Sequence, residues 1–323
     1  MKTYKELYTI IEQEIGQLKY DKKPDELYAP ITYMLSLGGK RLRPVLVVMA
    51  ADMFGVEIKK AIPAALAVEV FHNFTLVHDD IMDHADIRRG QPTVHKKWDE
   101  PVAILSGDLM MIKAIDLLCE TDIEPIRPLI SLFNKTAAEV CEGQQLDMNF
   151  ERYAEVAESE YVEMITLKTA VLLGCSLQLG AAIAGASNQD QFHLYEFGKN
   201  MGIAFQIQDD ILDSFGEGEK VGKKIGGDIT SNKKTLLLIE ALNEAKGDDL
   251  TALKYWLSVH DNNEAKINEV LGIYNKYDVR GKAENLKENY LQIAFEHLNQ
   301  LSIAKENTFI LKQTAIDLME RMS

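Results

Sequence analysis

Two short stretches, DDIMD at 79–83 and DDILD at 209–213, each set three aspartates near the end of an apolar run. On an α-helix residues four apart share a face, with Cβ atoms about 5–6 Å apart. Asp79 and Asp83 therefore project side by side with Asp80 on the adjoining face, and Asp209, Asp210 and Asp213 repeat the arrangement. Like charges grouped on an otherwise apolar helix are costly unless a cation neutralises them. Anionic oxygen donors suit a hard divalent ion, and magnesium takes one or two carboxylates while keeping waters and substrate phosphates. Neither copy has the alternating ligands, central glycine and distal glutamate of an EF-hand. One copy alone could be a solvated helix end; two copies, both closing apolar helices, argue against that.

Cations accompany the aspartates. GGKRLRP at 38–44 supplies Lys40, Arg41 and Arg43, and RRG supplies Arg88 and Arg89. The segment 217–235 combines Lys220, Lys223, Lys224, Lys233 and Lys234 with four glycines. Glycines let backbone donors approach an anion, and mobile lids of this kind close over substrates. Each patch alone reads as an exposed charged loop. Beside two magnesium-type clusters they share a purpose, because guanidinium and ammonium groups bind diphosphates directly and carboxylates bind them through magnesium. The simplest substrate set is two diphosphate esters with apolar tails: the charges hold the heads and the hydrophobic wall holds the tails.

The elements that must position these groups are helices. All eight prolines fall at or before Pro128, which leaves the rest of the chain open to long helices. Tyr4, Leu7, Ile11, Ile15 and Leu18 recur at the amphipathic helical period, and strand-like alternation is absent. Further helices are expected over 28–37, 43–54, 61–84, 101–119, 126–148, 158–185, 189–214 and 233–246. The segments 66–82, 161–184 and 201–213 are apolar on most faces, as central helices would be. The expectation is an all-α, single-domain bundle of long helices around a central cavity, spanning 1–323.

Composition narrows the function classes. A net charge of −15 and a pI near 5.0 argue against a nucleic-acid partner, whose phosphates would be repelled on average. No run of 18 apolar residues occurs and the N-terminus lacks a signal-peptide core, so a cytoplasmic protein without stable membrane insertion is expected. Cys119, Cys141 and Cys175 have no metal-ligand spacing and read as reduced core residues.

The motifs GGKRLRP, HNFTLVHDDIMD, RRG, GQQLD, LKT, FQIQDDILD and the lysine-glycine segment occur in an order that resembles the trans-isoprenyl diphosphate synthases, or polyprenyl synthetases, of short-chain type. The resemblance covers essentially the whole chain. It implies the isoprenoid synthase type I fold and a homodimeric, magnesium-dependent prenyltransferase, with three ions when substrate is bound, that condenses isopentenyl diphosphate with an allylic diphosphate. Asp79, Asp80, Asp83, Asp209, Asp210 and Asp213 match the family's two metal-binding motifs. Arg88, Lys168 and Gln206 match contacts to the allylic diphosphate. Lys40, Arg43, His72 and Arg89 match the isopentenyl diphosphate pocket, and Gln144 and Asp147 a polar contact near the metals. Lys223 and Lys224 both precede Gly226 and Asp228 where the family has one lysine. Asn232 stands where many members have glycine, and Lys233 fits the lysine that follows.

The implied chemistry is ionisation of the allylic diphosphate, assisted by magnesium, Lys168, Arg88 and the later lysines, under a lid at 216–235. Attack by the isopentenyl double bond follows, and the released diphosphate takes the proton. Thr169 either hydrogen-bonds near the reacting carbon or bonds its own backbone. His78 reads as a satisfied core histidine. Phe74, five residues before Asp79, lies about 7.5 Å up the helix and forms a floor for the tail. With the small Thr75 beside it, geranylgeranyl diphosphate is the expected product and farnesyl diphosphate the alternative. A terpene cyclase is disfavoured because the aspartates are repeated, and a non-catalytic subunit because all six are intact.

Overall fold

A computed structural model describes residues 1–216, 226–259 and 264–320. Helix is almost the only regular structure among them. The chain forms two compact units. One comprises Met1–Asn134, Cys175–Leu194 and Ser302–Ile310, the other Lys135–Gly174, Tyr195–Leu301 and Leu311–Ser323.

In the first unit α1 (Tyr4–Gln17) starts at a capping box in which Thr3 and Glu6 satisfy each other's end groups, and buries Leu7, Ile11 and Ile15, the face its periodicity marks. Next come α2 (Asp25–Ser36), α3 (Leu42–Met53) and α4 (Ile62–Met82). α4 has Ala64, Ala65, Leu66, Ala67, Val68 and Val70 inside, so it is buried almost all round, as its composition requires. A hairpin, β1 (Ile87–Arg88) with β2 (Gln91–Pro92), precedes the single turn α5 (Val94–Lys97). Two-residue strands are too short to show alternation, which is why the sequence reads as strandless. α6 (Glu100–Cys119), capped by Asp99 with Pro101 in its first turn, packs along α4.

α7 (Arg127–Phe150) contributes a stretch to each unit. The expected helix at 158–185 is three pieces: α8 (Glu158–Ile165), a π-helical turn at Thr166–Ala170, and α9 (Val171–Ile183). α10 (Asn188–Phe215) is the longest helix, and the chain continues through Leu236–Glu244, Asp248–Ser258, Glu264–Lys276, Val279–Asn299 and Lys305–Glu320. The second unit's core joins Phe150, Tyr161, Ile207, Leu237, Ile273 and Val279. Of the cysteines only Cys175 is buried; Cys119, at the end of α6, and Cys141, on α7, are exposed, so the expected core placement holds for Cys175 alone.

Candidate active site

In the first unit the acidic motif occupies the last turn of α4 and its C-cap. Asp83 is exposed, and its backbone N–H donates to the Asp79 carbonyl at 2.8 Å. Asp80 is 1% exposed and is gripped by Arg88, whose Nε donates to both carboxylate oxygens at 2.9 and 2.8 Å while Nη2 lies 2.7 Å from Oδ1. Burial pushes the Asp80 carboxyl up, against the hydrogen bonds and charge of Arg88. Arg88 reaches it because the chain reverses immediately: Arg89 and Gly90, at φ 52 and 75, form a two-residue hairpin turn of type I′ character.

Arg89 goes elsewhere, donating from Nη1 to the Gly38 carbonyl. Its guanidinium lies so close to Gly39 that a Cβ there would stand 2.8 Å from Cζ, and Gly39 itself has φ 137, so only glycine fits. Arg43 Nη1 is 3.2 Å from His72 Nε2. A guanidinium only donates, so His72 accepts and carries its proton on Nδ1. Burial first, then the charges of Arg43, Arg89, Arg88 and Arg41, hold that imidazole well below its ordinary value of 6.5 and therefore neutral. Burial, with Arg89 adding and Glu69 opposing, pushes Arg43 down to about 10. Arg43 Nε is buried with no hydrogen-bond acceptor. Lys40 is exposed in the adjoining turn. A cationic cluster with a buried, unmet donor is a socket for an anion.

The third cation of the same motif behaves differently. Arg41 is 4% exposed and pairs with Glu69 at 2.7 Å and Glu12 at 2.5 Å, so it anchors the turn instead of facing a ligand. Residue type and spacing do not separate it from Lys40 and Arg43; only the family resemblance leaves it out of the pocket. Higher on α4, Phe74 is half-buried against Phe71, and the Thr75 hydroxyl donates back to the His72 carbonyl at 2.8 Å.

In the second unit the π-helical turn presents Lys168 and Thr169. Gly143 on α7 permits this, because a Cβ there would lie 2.2 Å from the Lys168 backbone nitrogen. Lys168 Nζ pairs with Asp147 Oδ2 at 2.5 Å. Thr169 donates to Gln206 Oε1 at 3.3 Å, not to its own backbone, and Gln206 Nε2 donates to Asp210 Oδ1 at 3.2 Å. Asp210, 5% exposed, also accepts from the Tyr161 hydroxyl at 2.6 Å. Asp213 Oδ2 accepts the Asp228 N–H at 2.9 Å, which fastens the turn at Gly227–Thr230 to α10. A cleft gathers Asp147, Lys168, Thr169, Gln206, Asp210 and Lys233, with Lys234 of the same lysine-glycine segment and with Tyr161, which the sequence does not mark. Gln144 Nε2 is buried without a partner. Lys223 and Lys224, with the rest of 217–225 of the expected lid, lie outside the described residues.

Among the described residues no three His, Cys, Asp or Glu side chains form a ready-made metal cage. The donor set nonetheless fits a hard cation. Burial, with Asp209 adding, pushes Asp210 up to about 6; burial, with Asp210, Asp213 and Asp209 adding against Lys233, pushes Asp228 up to about 7. The second cluster is thus short of positive charge, and magnesium can finish its shell with water and diphosphate oxygens. Asp228 was signalled by the Gly-x-Asp at 226–228, whereas no spacing marks Tyr161.

The polyprenyl synthetase family profile matches residues 24–274. A geranylgeranyl diphosphate synthase of Methanosarcina mazei is 39% identical over 307 residues, covering 94% of this chain and 92% of its own. A solved geranylgeranyl pyrophosphate synthase is similar with a TM-score of 0.94 at 45% identity, covering 100% of both chains. A polyprenyl synthase from Caulobacter crescentus CB15, solved with calcium and isoprenyl diphosphate, gives a TM-score of 0.86 at 25% identity over 99% of this chain and 94% of that one.

Proposed function

We propose that this chain, which belongs to the polyprenyl synthetase family, is a prenyltransferase that condenses isopentenyl diphosphate with allylic diphosphates and stops at geranylgeranyl diphosphate. Its all-α architecture is the type I isoprenoid synthase fold. The observation that carries the reading is the spacing along α4. His72, in the anion socket, and Asp79, in the acidic motif, are seven residues apart, about 10 Å along the axis. One helix therefore addresses two diphosphates a short distance apart, as a two-substrate condensation requires.

In this reading Arg43, Arg89, His72 and Lys40 hold isopentenyl diphosphate, with Arg43 Nε meeting a phosphate oxygen. Arg88, oriented by Asp80, and Lys168, Thr169, Gln206, Lys233 and either Lys223 or Lys224 hold the allylic diphosphate. Gln144 supplies a further polar contact. Asp79, Asp83, Asp209, Asp210, Asp213 and Asp147 would hold magnesium, three ions with substrate bound, and Asp80 acts with them through Arg88. Bound there, magnesium supplies positive charge to the departing diphosphate. Lys168 and Arg88 add fixed charge at the same leaving group, so the allylic carbon–oxygen bond breaks. The isopentenyl double bond then forms the new carbon–carbon bond, and a proton passes to the released diphosphate. The tail runs up α4 to Phe74, which ends elongation beside the small Thr75.

We read the chain as one catalytic domain that works as a cytoplasmic homodimer. Leu105 and Ile112, 59% and 56% exposed and two turns apart on α6, offer an apolar stripe for a second copy. Among the described residues two helical runs are apolar enough to span a membrane, Ile58–Met82 and Glu158–Ile183, and 67% and 72% of their apolar windows are buried within the fold, as in core helices. The test is incubation with magnesium, isopentenyl diphosphate and, separately, dimethylallyl, geranyl and farnesyl diphosphates, with products identified by mass. Accumulation of geranylgeranyl diphosphate is expected. No condensation from any starter would overturn the assignment.

A further inference from the structure

At one point α4 and α6 approach too closely for a methyl group. A Cβ on Gly107 of α6 would stand 2.3 Å from His78 Nε2 and 2.5 Å from its Cδ2. The imidazole of His78 therefore rests on the α6 backbone itself, with Nε2 3.2 Å from the Ile104 carbonyl and 3.8 Å from Asp108 Oδ1. A carbonyl only accepts, so Nε2 bears the proton and the ring orientation is set. One helical turn earlier Phe74 meets this ring edge-on, centroids 4.8 Å apart and planes at 65°. Phe74 also meets Phe71 at 5.6 Å, and Phe71, fully buried, is locked against Phe133 at 5.3 Å. The half-buried Phe74 is thus held between two rings: Phe71, fixed by the core, and His78, seated on α6.

We propose that His78 is a specificity-determining positioning residue: seated on Gly107 and the Ile104 carbonyl, its ring fixes the rotamer of Phe74 and so sets where elongation stops. This rests on the reading of Phe74 as the floor of the tail channel. A phenylalanine in a helix has two accessible χ1 wells, so removing one wall lets the ring swing aside. An edge-to-face ring pair biases such a choice by about two- to tenfold, and His78→Ala is expected to raise the share of products longer than geranylgeranyl diphosphate by that factor.

The experiment compares wild type, His78→Ala, His78→Gln, Phe74→Ala and His78→Ala/Phe74→Ala, each given isopentenyl and farnesyl diphosphates, at matched turnover, with product lengths read by mass and folding by circular dichroism. Glutamine keeps a donor for the Ile104 carbonyl but has no ring, so it reports on Phe74 support even if the alanine variant folds poorly. Both His78 variants should lengthen the products, and the double variant should reproduce Phe74→Ala alone, because the two residues act as one device. Unchanged products from Phe74→Ala would overturn the floor and this proposal with it. Longer products from Phe74→Ala but wild-type products from both His78 variants would overturn the role of His78 while leaving the floor standing. Further lengthening by His78→Ala in the Phe74→Ala background would mean that His78 meets the tail directly, which also overturns the positioning role.

Discussion

Replacing Arg41 by methionine removes one of three cations in the GGKRLRP turn, yet its first effect falls on stability. The Arg41 side chain is 1% exposed, with Nη1 2.7 Å from Glu69, Nε 2.5 Å from Glu12 and Nη2 2.6 Å from the Leu35 carbonyl. The Glu69 side chain is 2% exposed, and its remaining donor is the Asn73 amide at 2.9 Å. Without Arg41 a carboxylate is stranded in the core, which costs about 3–5 kcal/mol. Glu12, at 35% exposure, turns to water and adds little. Replacing both partners by apolar residues is nearly neutral, so Arg41→Met/Glu69→Met should return to within about 1 kcal/mol of wild type. Lys40→Met, at an exposed neighbour, should stay within about 0.5 kcal/mol. Urea unfolding followed by circular dichroism measures all three. Arg41 also ties α1, the end of α2 and α4 to the turn that bears Lys40 and Arg43. KM for isopentenyl diphosphate should therefore rise in the single variant and fall back in the double. A single variant within 1 kcal/mol of wild type, or a double no better than the single, refutes the reasoning.

Gly143→Ala places a methyl group against the Lys168 backbone, which cannot move without opening the π-helical turn. Displacing Lys168 by about 1 Å should lower kcat on the order of 100-fold, and a near-normal kcat would show that the turn tolerates the shift. His72 gives a pH dependence whose sign follows from its depressed value. As pH falls below 6.5 the unfolded chain takes up a proton that the folded chain refuses. Stability is therefore lost on acidification, by up to about 1.4 kcal/mol per pH unit. Urea midpoints between about pH 5 and 7 should show a shallower slope in His72→Gln than in wild type, and equal slopes would place the acid sensitivity elsewhere.

Much of this was legible from spacing. The apolar period located the helices because burial of one face is what makes a helix persist, and α4 came out at Ile62–Met82 against the expected 61–84. The paired aspartates were visible because a period of four is a statement about side-chain direction. What escaped depends on contacts between distant segments. The π-helical turn under Lys168 leaves no trace in hydrophobic periodicity, since it exists to fit Gly143 on another helix. Arg41 differs from Arg43 only in what packs over it. Asn232, noted as a departure from glycine, proves compatible for a local reason: at φ 58 it adopts the left-handed conformation that asparagine tolerates, and its side-chain oxygen accepts from the buried Lys266 at 2.6 Å.

On the proposed reading α4 carries the anion socket at His72, the ring stop at Phe74 and the acidic motif at Asp79 on one uninterrupted helix, and so works as a ruler whose graduations are residue numbers. One inserted residue would turn everything beyond it by about 100° and part the graduations from one another. Such a segment can diversify only by exchange of side chains at fixed rungs. The spacing between heads is then frozen while the length of tail admitted stays open to single substitutions.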